Sequence, residues 1–536
     1  MKILITLFLF LPFLSISSPL LEAQIDTITW SGNIELNADQ FFTQQQTLKV
    51  LSGTVVTATG LYKIEIRGNI IAEGTSENPI LFTAMDTVGL YDSATIAGGW
   101  HGIHLVNNAN GIGKFSYCNF EYGKANIPGS WIDYQGYHDT LGGNQGGAFR
   151  ISDYKTIEFD HCSFTYNYSR TRGAAIYCNN VYTISITDCN FSQNKTMVDG
   201  GGVYSNNHTS IFISNSTFRN NTALYSYINA IGFTVFRGHG SAFYLNKHPG
   251  NSINIIRNNT IFNNTSQSAV YLAIPSVFFL NNLLTNNYNG ETVSFSKIES
   301  TAYVFNNTIV NNYWWVGIPG IFTASNDIHI YNNILWDNNS GNIEDDDLVI
   351  GWHNNEPNVF NNLIWEGRAP GEAVLTKDPL FANPAPGYGL DYNGWEYDWS
   401  LSDESPAVNR GTPDTTGLNL PATDLLGNPR VYGIRIDMGA IENQMVVGLP
   451  QNPLVNARLQ VSPNPFGQSF KVVAPGRDKI SSISLFNQNG QQIATETMMP
   501  FEQMLVFDLR NQSPGLYLLV TRFADGSTET TKLVKY

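Results

Sequence analysis

The chain has 536 residues and a formal net charge of −15, with 29 Lys and Arg against 44 Asp and Glu. Only 14% of its residues are charged, compared with roughly 25% in an ordinary soluble domain. The shortage of basic residues excludes broad contact with nucleic acid, because Lys and Arg must neutralise the phosphates. Hydrophobic residues make up 42% of the chain, which excludes general disorder, and 4 Cys are too few for a disulfide-built scaffold.

The N-terminus has the features of a secretory signal peptide. Lys2 precedes an apolar run from Ile3 to Leu14, and polar residues follow at 15–18. The run is shorter than the ~20 residues of a membrane span, which favours a signal peptide over a membrane anchor. We predict a signal peptide over residues 1–23, with cleavage after Ala23. No later stretch is apolar for long enough to span a membrane, so the mature protein is expected to have no transmembrane helix.

A short motif recurs through the middle of the chain. It consists of two apolar residues five positions apart, with a small polar residue or Cys two positions before the second one. Successive copies lie 23 to 29 residues apart, except for two intervals of 44 and 43. The copies begin at Phe115, Phe159, Ile186, Ile213, Ile256, Phe279, Val304, Ile330 and Val359.

The spacing of five predicts a bend within each copy. Side chains of a flat strand alternate between its two faces, so residues five apart point to opposite sides unless the chain bends between them. Repeats of this length without helical periodicity predict a solenoid of parallel strands, with coils stacked at ~4.8 Å. About twelve such coils are expected between residues 30 and 370.

The small residue of each copy should form a column along the solenoid. The column contains Cys118, Cys162, Cys189, Ser216, Asn259, Asn282, Asn307, Asn333 and Asn362. Asn tolerates left-handed backbone, and its amide can bond to the Asn of the next coil, so a ladder is predicted. The Cys members are interpreted as small buried residues. A disulfide between Cys162 and Cys189, one coil apart, is the alternative.

These repeats resemble those of right-handed parallel β-helix proteins of the pectin-lyase-like class. Further motifs that carry the resemblance are Gly74–Thr83, Gly99–Ile103, Gly146–Ala148, Gly173–Tyr177, Gly200–Tyr204 and Gly240–Tyr244. The resemblance covers about residues 50–445 and implies an all-β solenoid for residues 24–445. It implies no single function, because this fold hosts lyases, hydrolases, adhesins and tailspikes.

The two long intervals place insertions at one corner of the solenoid. In uninserted coils the Gly/Ala strand start lies 11 positions after the second apolar residue, whereas it lies 28 positions after Phe120 and 24 positions after Phe218. The two uninserted coils between the insertions would form a floor. Aromatic walls with cations between them suit a polysaccharide that carries carboxylates or sulfates. The predicted substrate-binding residues are Trp131, Tyr134, Tyr137, His138, Arg170, Arg172, Lys195, Asp199, Arg237 and His239. The alternative is that these loops only cover the rod.

The sequence assigns no catalytic residue and no certain cofactor. Gly238-His239-Gly240 resembles a short motif of polygalacturonases, but the carboxylates that this family needs for hydrolysis are absent from the matching order. Calcium-assisted lyases share the fold, and residues 344–347 could bind Ca²⁺, although an acidic surface loop is the alternative.

After the last repeat, four segments resemble the closing part of bacterial surface proteins with variable C-terminal anchors. They are residues 378–381, 405–411, 420–430 and 436–442. We interpret them as the last coils and a cap over the open end of the rod, followed by a linker over residues 446–457.

Residues 458–536 have a different texture, with alternating strands separated by turn signals, which predicts a small immunoglobulin-like antiparallel β-sandwich. Val461–Phe466, Asn487–Gly490, Ser513–Tyr517 and Lys532–Lys535 resemble the sorting domain of type IX secretion. The resemblance implies recognition by the type IX secretion machinery and export across the outer membrane. An ordinary accessory module is the alternative.

Together these features predict a secreted or cell-surface β-helix protein that contacts extracellular polysaccharide. Cleavage of that polysaccharide by a lyase or hydrolase mechanism is left open. The alternative is a non-catalytic adhesin or structural surface protein.

Overall fold

The computed structural model divides into two units, which fall within residues 1–446 and 447–536. The described residues are 26–128, 143–228, 234–246, 253–296, 301–314, 318–325, 327–339, 347–350, 358–365, 371–413, 415, 418, 420–433, 435–444, 460–464, 466–473, 480–487, 490–496, 504–523 and 528–536. The predicted signal peptide and linker lie outside them. Apart from two short 3₁₀ turns, all regular structure in these residues is β-strand, so the all-β prediction is confirmed.

The first unit is a parallel β-helix in which each coil contributes strands to three faces. The chain runs along face A, bends into the short face B, turns a corner and continues along face C. Face A is formed by Asp26–Trp30, Gln46–Leu51, Asn69–Glu73, Ile103–Ser116, Phe149–Asp160, Ile176–Thr187, Ser210–Ser214, Asn254–Arg257, Val277–Leu280, Ala302–Phe305, Ile328–Tyr331 and Asn358–Phe360.

Face B is a sheet of 12 strands that follow one another in chain order, which confirms the predicted number of coils. Its strands are Asn33–Leu36, Val55–Ala58, Ile80–Ala84, Cys118–Glu121, Ser163–Thr165, Asn190–Ser192, Thr217–Arg219, Thr260–Phe262, Leu283–Thr285, Thr308–Val310, Ile334–Trp336 and Leu363–Ile364.

The three longest strands of face A begin on face C, so their first parts belong to face C. The other coils have separate face C strands. These are Gln40–Phe42, Ile64–Ile66, Val203–Asn206, His239–Asn246, Thr265–Ala273, Tyr288–Phe295, Ile318–Thr323 and Leu348–Ile350. Short strands at the corner between faces B and C are Lys124–Ala125, Tyr168–Ser169, Lys195–Thr196 and Thr222–Ala223.

Two left-handed bends, five residues apart, flank each complete face B strand from the fourth coil onward. The first bend falls on Tyr117, His161, Asp188, Asn215, Asn258, Asn281, Asn306, Asn332 and Asn361. The second falls on Tyr122, Tyr166, Gln193, Asn220, Asn263, Asn286, Asn311 and Asp337. The bend predicted from the spacing of five is confirmed, because Phe115 and Phe120 are both buried. The left-handed residue, however, is the one before the column, not the column residue itself.

The predicted asparagine ladder is confirmed. From Asn259 to Asn362, each amide nitrogen donates to the amide oxygen of the next coil at 2.9–3.0 Å. The four cysteines are free and buried. Cys162 and Cys189 belong to the same column, and the backbone N–H of Cys162 points at the Cys189 Sγ at 3.4 Å. Small buried thiols therefore replace Asn in the first part of the column, and the alternative disulfide is not formed.

A second asparagine ladder lies at the other bend and was not predicted. It contains Asn167, Asn194, Asn221, Asn264, Asn287, Asn312 and Asn338, linked amide to amide at 2.8–3.0 Å. Between the two ladders, aromatic rings stack from coil to coil inside the rod, as in Phe164–Phe191 at 4.5 Å and Phe191–Phe218 at 4.6 Å. The interior is therefore an apolar column bounded by two polar ones, and the amides of both ladders have partners.

Residues 376–444, named here the cover segment, do not sit over the open end of the rod as predicted. Among the described residues, Glu372 and Leu375, which precede the cover segment, form the bridges to the last coil. The cover segment instead lies along the outer surface of face B in the later coils. Its strands Phe381–Asn383 and Asp398–Leu401 and 3₁₀ turns Gly389–Asp391 and Gly394–Glu396 belong to this covering.

Apolar packing and bend amides hold the cover segment in place. Trp399, Leu401 and Met438 pack on outward-facing Leu283 and Val310 of face B. The bend residues contribute hydrogen bonds to cover-segment carbonyls: Asn263 to Tyr392, Asn281 to Thr423, Asn306 to Asp437 and Asn311 to Gly387, at 2.8–3.0 Å. In the coils just before the covered ones, the position that matches Leu283 is polar, with Asn119, Ser163, Asn190 and Thr217 in register.

The second unit is a small antiparallel β-sandwich, as predicted. One sheet contains Gln460–Ser462, Ser469–Val473 and Met504–Asp508, and the other contains Gln492–Glu496, Ile480–Asn487, Gly515–Phe523 and Thr528–Lys535. Its core includes Phe466, Phe470, Leu485 and Leu519, all at most 1% exposed.

Replacing Asn307 with Ala should lower the free energy of unfolding by about 2–4 kcal/mol, because it leaves the buried donors of Asn282 and the carbonyl of Phe279 without partners. Denaturant unfolding of the full chain measures the change. Asn119→Ala is the matched control, since the Asn119 side chain lies on the outer surface of face B and not in the ladder. Equal losses in the two variants would contradict a stabilising role for the ladder.

Candidate functional site

Three loops leave the rod at the corner between faces B and C. Two are the predicted insertions, which follow Lys124–Ala125 and Thr222–Ala223. These strands belong to one stack of four, so the insertions lie three coils apart as predicted. The third loop, residues 85–99, follows the face B strand Ile80–Ala84 and was not predicted, because the repeat motif is not recognisable before Phe115.

Loop 85–99 is fastened by a buried lysine. The Nζ of Lys124 donates to the carbonyls of Gly89, Asp92 and Ala97 at 2.7, 3.0 and 2.7 Å. Burial lowers the pKa of Lys124, although nearby Asp92 opposes this. The Tyr91 hydroxyl of the same loop donates to the Gln193 carbonyl at 2.7 Å. The loop therefore reaches across the floor between the two predicted insertions.

The two predicted walls are described only in part. Trp131, Tyr134, Tyr137 and His138 lie outside the described residues. The second insertion is an antiparallel hairpin of Tyr225–Ile228 and Thr234–Arg237, and Arg237 is its last paired residue.

The predicted floor residues do come together, but most of their charged groups already contact other groups of the protein. Arg172 is 5% exposed, with its Nε 3.4 Å from Asp199 Oδ2 and its guanidinium 5.4 Å from the Tyr204 ring centroid. Arg170 donates to the Ile127 carbonyl at 3.3 Å. Lys195 is exposed, with its Nζ 5.5 Å from the Tyr91 ring. Arg172 and Asp199 are thus held in structural contacts, and Lys195 is the floor cation that faces solvent.

A polar row continues from the floor along the edge of face C. The backbone N–H of His239 donates to Asp199 Oδ1 at 3.0 Å, and its Nδ1 lies 2.8 Å from Ser268 Oγ. Ser268 in turn donates to Glu291 Oε2 at 3.2 Å. Ser268 and Glu291 were not predicted, since they lie outside the repeat motif. Ser268 is fully buried, so this row orders the corner and does not present a nucleophile.

The outer surface of face C carries a tyrosine row beside this corner. Register places Arg150, Tyr177, Tyr204, Tyr244 and Tyr271 on successive coils. The tyrosine rings stack at 5.3, 5.0 and 4.5 Å. The rings cover one another's faces, which leaves their edges directed away from the rod. Tyr177, Tyr204 and Tyr244 are the last residues of three Gly/Ala motifs found in the sequence. Alignment of these motifs could therefore have predicted the tyrosine row.

An amide row runs parallel to the tyrosines, two positions further along each strand. The Asn206 amide donates to Asn179 Oδ1 at 2.9 Å, and the Asn246 amide donates to Asn206 Oδ1 at 3.2 Å. Face C therefore offers two parallel rows of polar groups that repeat with the coil spacing.

A cationic pocket of about 390 Å³ lies at the Arg150 end of these rows. Its lining includes Lys63, Arg67, Arg150, His104 and two carboxylates, Glu65 and Asp153. Glu65 pairs with Lys63 and Arg67 at 2.8 and 3.0 Å. Burial, with support from His101 and Arg150, holds the pKa of His104 well below its ordinary value. The Nε of Arg150 is buried without a hydrogen-bond partner.

The suggested calcium site at residues 344–347 stays a prediction. Residues 344–346 lie outside the description, and Asp347 is buried with its Oδ1 accepting from the Asn338 amide at 2.8 Å. Asp347 thus ends the second ladder. One exposed group, Asp160, His161 and Asp188, has ligand atoms within 4.8 Å of one another, but no further observation points to an ion there.

Comparison with known proteins identifies the C-terminal unit. Residues 460–536 match the family model for the secretion system C-terminal sorting domain. A search of curated proteins found no match for the chain. The molecule is a parallel β-helix joined in sequence to a type IX sorting domain. It is therefore exported by the type IX machinery, and it is secreted or located at the cell surface. In the described residues, we find no helix whose length and apolarity would let it cross a bilayer.

Replacing Asp347 with Asn should stabilise the protein at pH 8 relative to pH 5. Burial raises the pKa of Asp347 to about 8, from an ordinary value of 3.8. Between these values the unfolded chain loses the proton and the folded chain keeps it, so the free energy of unfolding falls as pH rises. Asn carries no such proton and extends the ladder.

Denaturant unfolding of both proteins at pH 5 and pH 8 measures the effect. The advantage of the variant should grow by roughly 2–4 kcal/mol over this range. Asp437 and Glu442, whose pKa values burial raises to about 6 and 7, are common to both proteins and cancel in the comparison. An advantage that is constant with pH would contradict the assignment.

Proposed function

We propose that this protein binds an extracellular polysaccharide that carries acidic groups along the outer surface of face C. The observation that carries the proposal is the pair of tyrosine and amide rows that ends in the pocket of Lys63, Arg67 and Arg150. Export to the cell exterior supports contact with such polymers.

The rows suit an extended polymer because their groups recur once per coil. Phenol hydroxyls and amides both donate and accept hydrogen bonds, as sugar hydroxyls do. Since stacking covers the faces of the inner tyrosine rings, their contribution is hydrogen bonding at the ring edges. Flat stacking on a sugar would need a free ring face.

The cationic pocket supports an acidic sugar as one unit of the polymer. Guanidinium groups bind carboxylates and sulfates through paired hydrogen bonds, and Arg150 has a buried donor without a partner. In a chain with net charge −15, a pocket lined by three cations and two carboxylates keeps a positive balance, and only one of these carboxylates, Glu65, pairs with Lys63 and Arg67. The proposal concerns binding, because the described carboxylates of the corner, Asp199 and Glu291, already accept hydrogen bonds from the protein.

Calorimetry of the full chain with polygalacturonate, alginate, a sulfated galactan and a neutral glucan tests the proposal. At least one acidic polymer should bind, and raising the salt from about 50 to about 500 mM should weaken binding. Replacing Tyr177 and Tyr244 together with Phe should weaken it about tenfold, because each hydroxyl contributes one hydrogen bond while the ring stack is kept. Arg150→Gln should weaken it and reduce its salt dependence.

Tyr182→Phe is the matched control, since Tyr182 is 60% exposed and lies outside the tyrosine row. Absence of binding to every acidic polymer, or unchanged affinity in the Tyr177/Tyr244 and Arg150 variants, would contradict the proposal. Either result would favour the alternative function, a non-catalytic adhesin. Assay of the same mixtures for new reducing ends measures cleavage directly.

A further inference from the structure

Face B has a second feature that the polysaccharide proposal does not use. The cover segment lies over the coils from Thr260 onward, but the coil of Thr217 is left open. Where the covering stops, a cleft of about 370 Å³ opens between the rod and the cover segment. Its lining from the rod is Asn215, Ser216, Thr217, Asn258 and Thr260, and its lining from the cover segment is Trp395 and Thr423–Gly427.

Trp395 forms an exposed aromatic wall of this cleft. Its side chain is 64% exposed, although Trp is a large residue that is usually well buried. The indole ring is held in place by Phe262, with ring centroids 6.0 Å apart and planes inclined by 22°. One ring face is therefore supported by the rod, and the residue is positioned without being covered.

Asn258 supplies a polar group that points to a ligand. In the same bend row, Asn281 donates to the Thr423 carbonyl and Asn306 donates to the Asp437 carbonyl, so the cover segment occupies their amides. Asn258 lies one coil before Asn281, at the cleft. Its Oδ1 is buried and has no hydrogen-bond partner. An orphaned acceptor of this kind needs a donor from water or from a ligand.

The charge of the cleft selects the class of ligand. Asp424 is the one ionisable residue in its lining. Its two oxygens accept hydrogen bonds from the backbone N–H groups of Leu426, Asn428 and Glu442. With no cation in the lining, the cleft does not favour an acid. Asn and Thr side chains beside an exposed indole suit the hydroxyls and the apolar ring face of a neutral sugar.

The open coils of face B extend this surface. Register aligns Asn119, Ser163, Asn190, Thr217 and Thr260 in one outward row that ends in the cleft. We propose that the cleft at Trp395 binds a neutral sugar unit of a glycan whose chain continues along this row. The site shares no residue with the one on face C.

Calorimetry of the full chain with neutral hexasaccharides tests the inference. The ligands are β-1,4-linked hexamers of glucose, xylose and mannose and a β-1,3-linked hexamer of glucose. At least one should bind at concentrations up to about 5 mM. Trp395→Ala should weaken binding about tenfold or more through loss of the stacking surface, and Trp395→Tyr should restore most of it. Asn258→Gly should also weaken binding, since Gly tolerates the left-handed backbone at this bend (φ 56°) but lacks the amide.

Leu390→Ala is the control, because Leu390 is 48% exposed on the cover segment but does not line the cleft. Failure of every hexamer to bind, or equal affinity of Trp395→Ala and the parent, would overturn the inference. Loss of hexamer binding in Trp395→Ala with unchanged binding of acidic polymers separates this site from the one on face C. Loss of hexamer binding in Arg150→Gln would also overturn it.

Discussion

The fold depends on the stacking of two left-handed bends in each complete coil from the fourth onward. A slip of one residue between neighbouring coils would turn the inward side chains of a strand outward, so the register is set by burial. The two asparagine ladders add a polar constraint, because an amide such as Asn307 bonds to its own column in both directions. The bends leave one corner, between faces B and C, where the chain can lengthen without disturbing either ladder. The three loops of the candidate site leave there, which is why the predicted floor lies beside that corner.

The bend residues also decide which surface is covered. A left-handed position favours Asn, but Tyr117, His161 and Gln193 show that other residues are accepted where the corner is open. In the later coils Asn is used at nearly every bend, and several of these amides also bind the cover segment. Outward strand positions of the covered coils also hold apolar residues, such as Leu283, Val310 and Ile334. The bend residue and the outward strand residue of each repeat thus both contribute to the docking of the cover segment. The cleft at Trp395 lies where the cover segment ends.

The sequence predicted the parts of the fold that repeat. The spacing of five residues was enough for the bend, the first ladder and the number of coils. The second ladder follows the same rule, but its members, such as Asn167 and Asn194, lie outside the recurring motif from which the first ladder was predicted. The cover segment was misplaced, because its docking depends on contacts over more than 100 residues, such as Asn281 with Thr423. The binding role of the floor between the insertions was harder to predict than the fold. The sequence could place its charged residues on a common floor, but only the structure shows that Arg172 is already paired with Asp199.

The two proposed surfaces differ in the force that would hold a ligand. On face C, Lys63, Arg67 and Arg150 act against the long-range repulsion that a polyanion meets from a chain of net charge −15, so binding there is sensitive to salt. At the cleft, Trp395 and Asn258 act through stacking and hydrogen bonding, which salt affects little. Both lie on one β-helix unit, whose paired strands fix their separation. A rigid separation raises the effective concentration at the second site only for a partner that can span it. A mixed glycan with acidic and neutral stretches would therefore gain more from this geometry than two short oligosaccharides would.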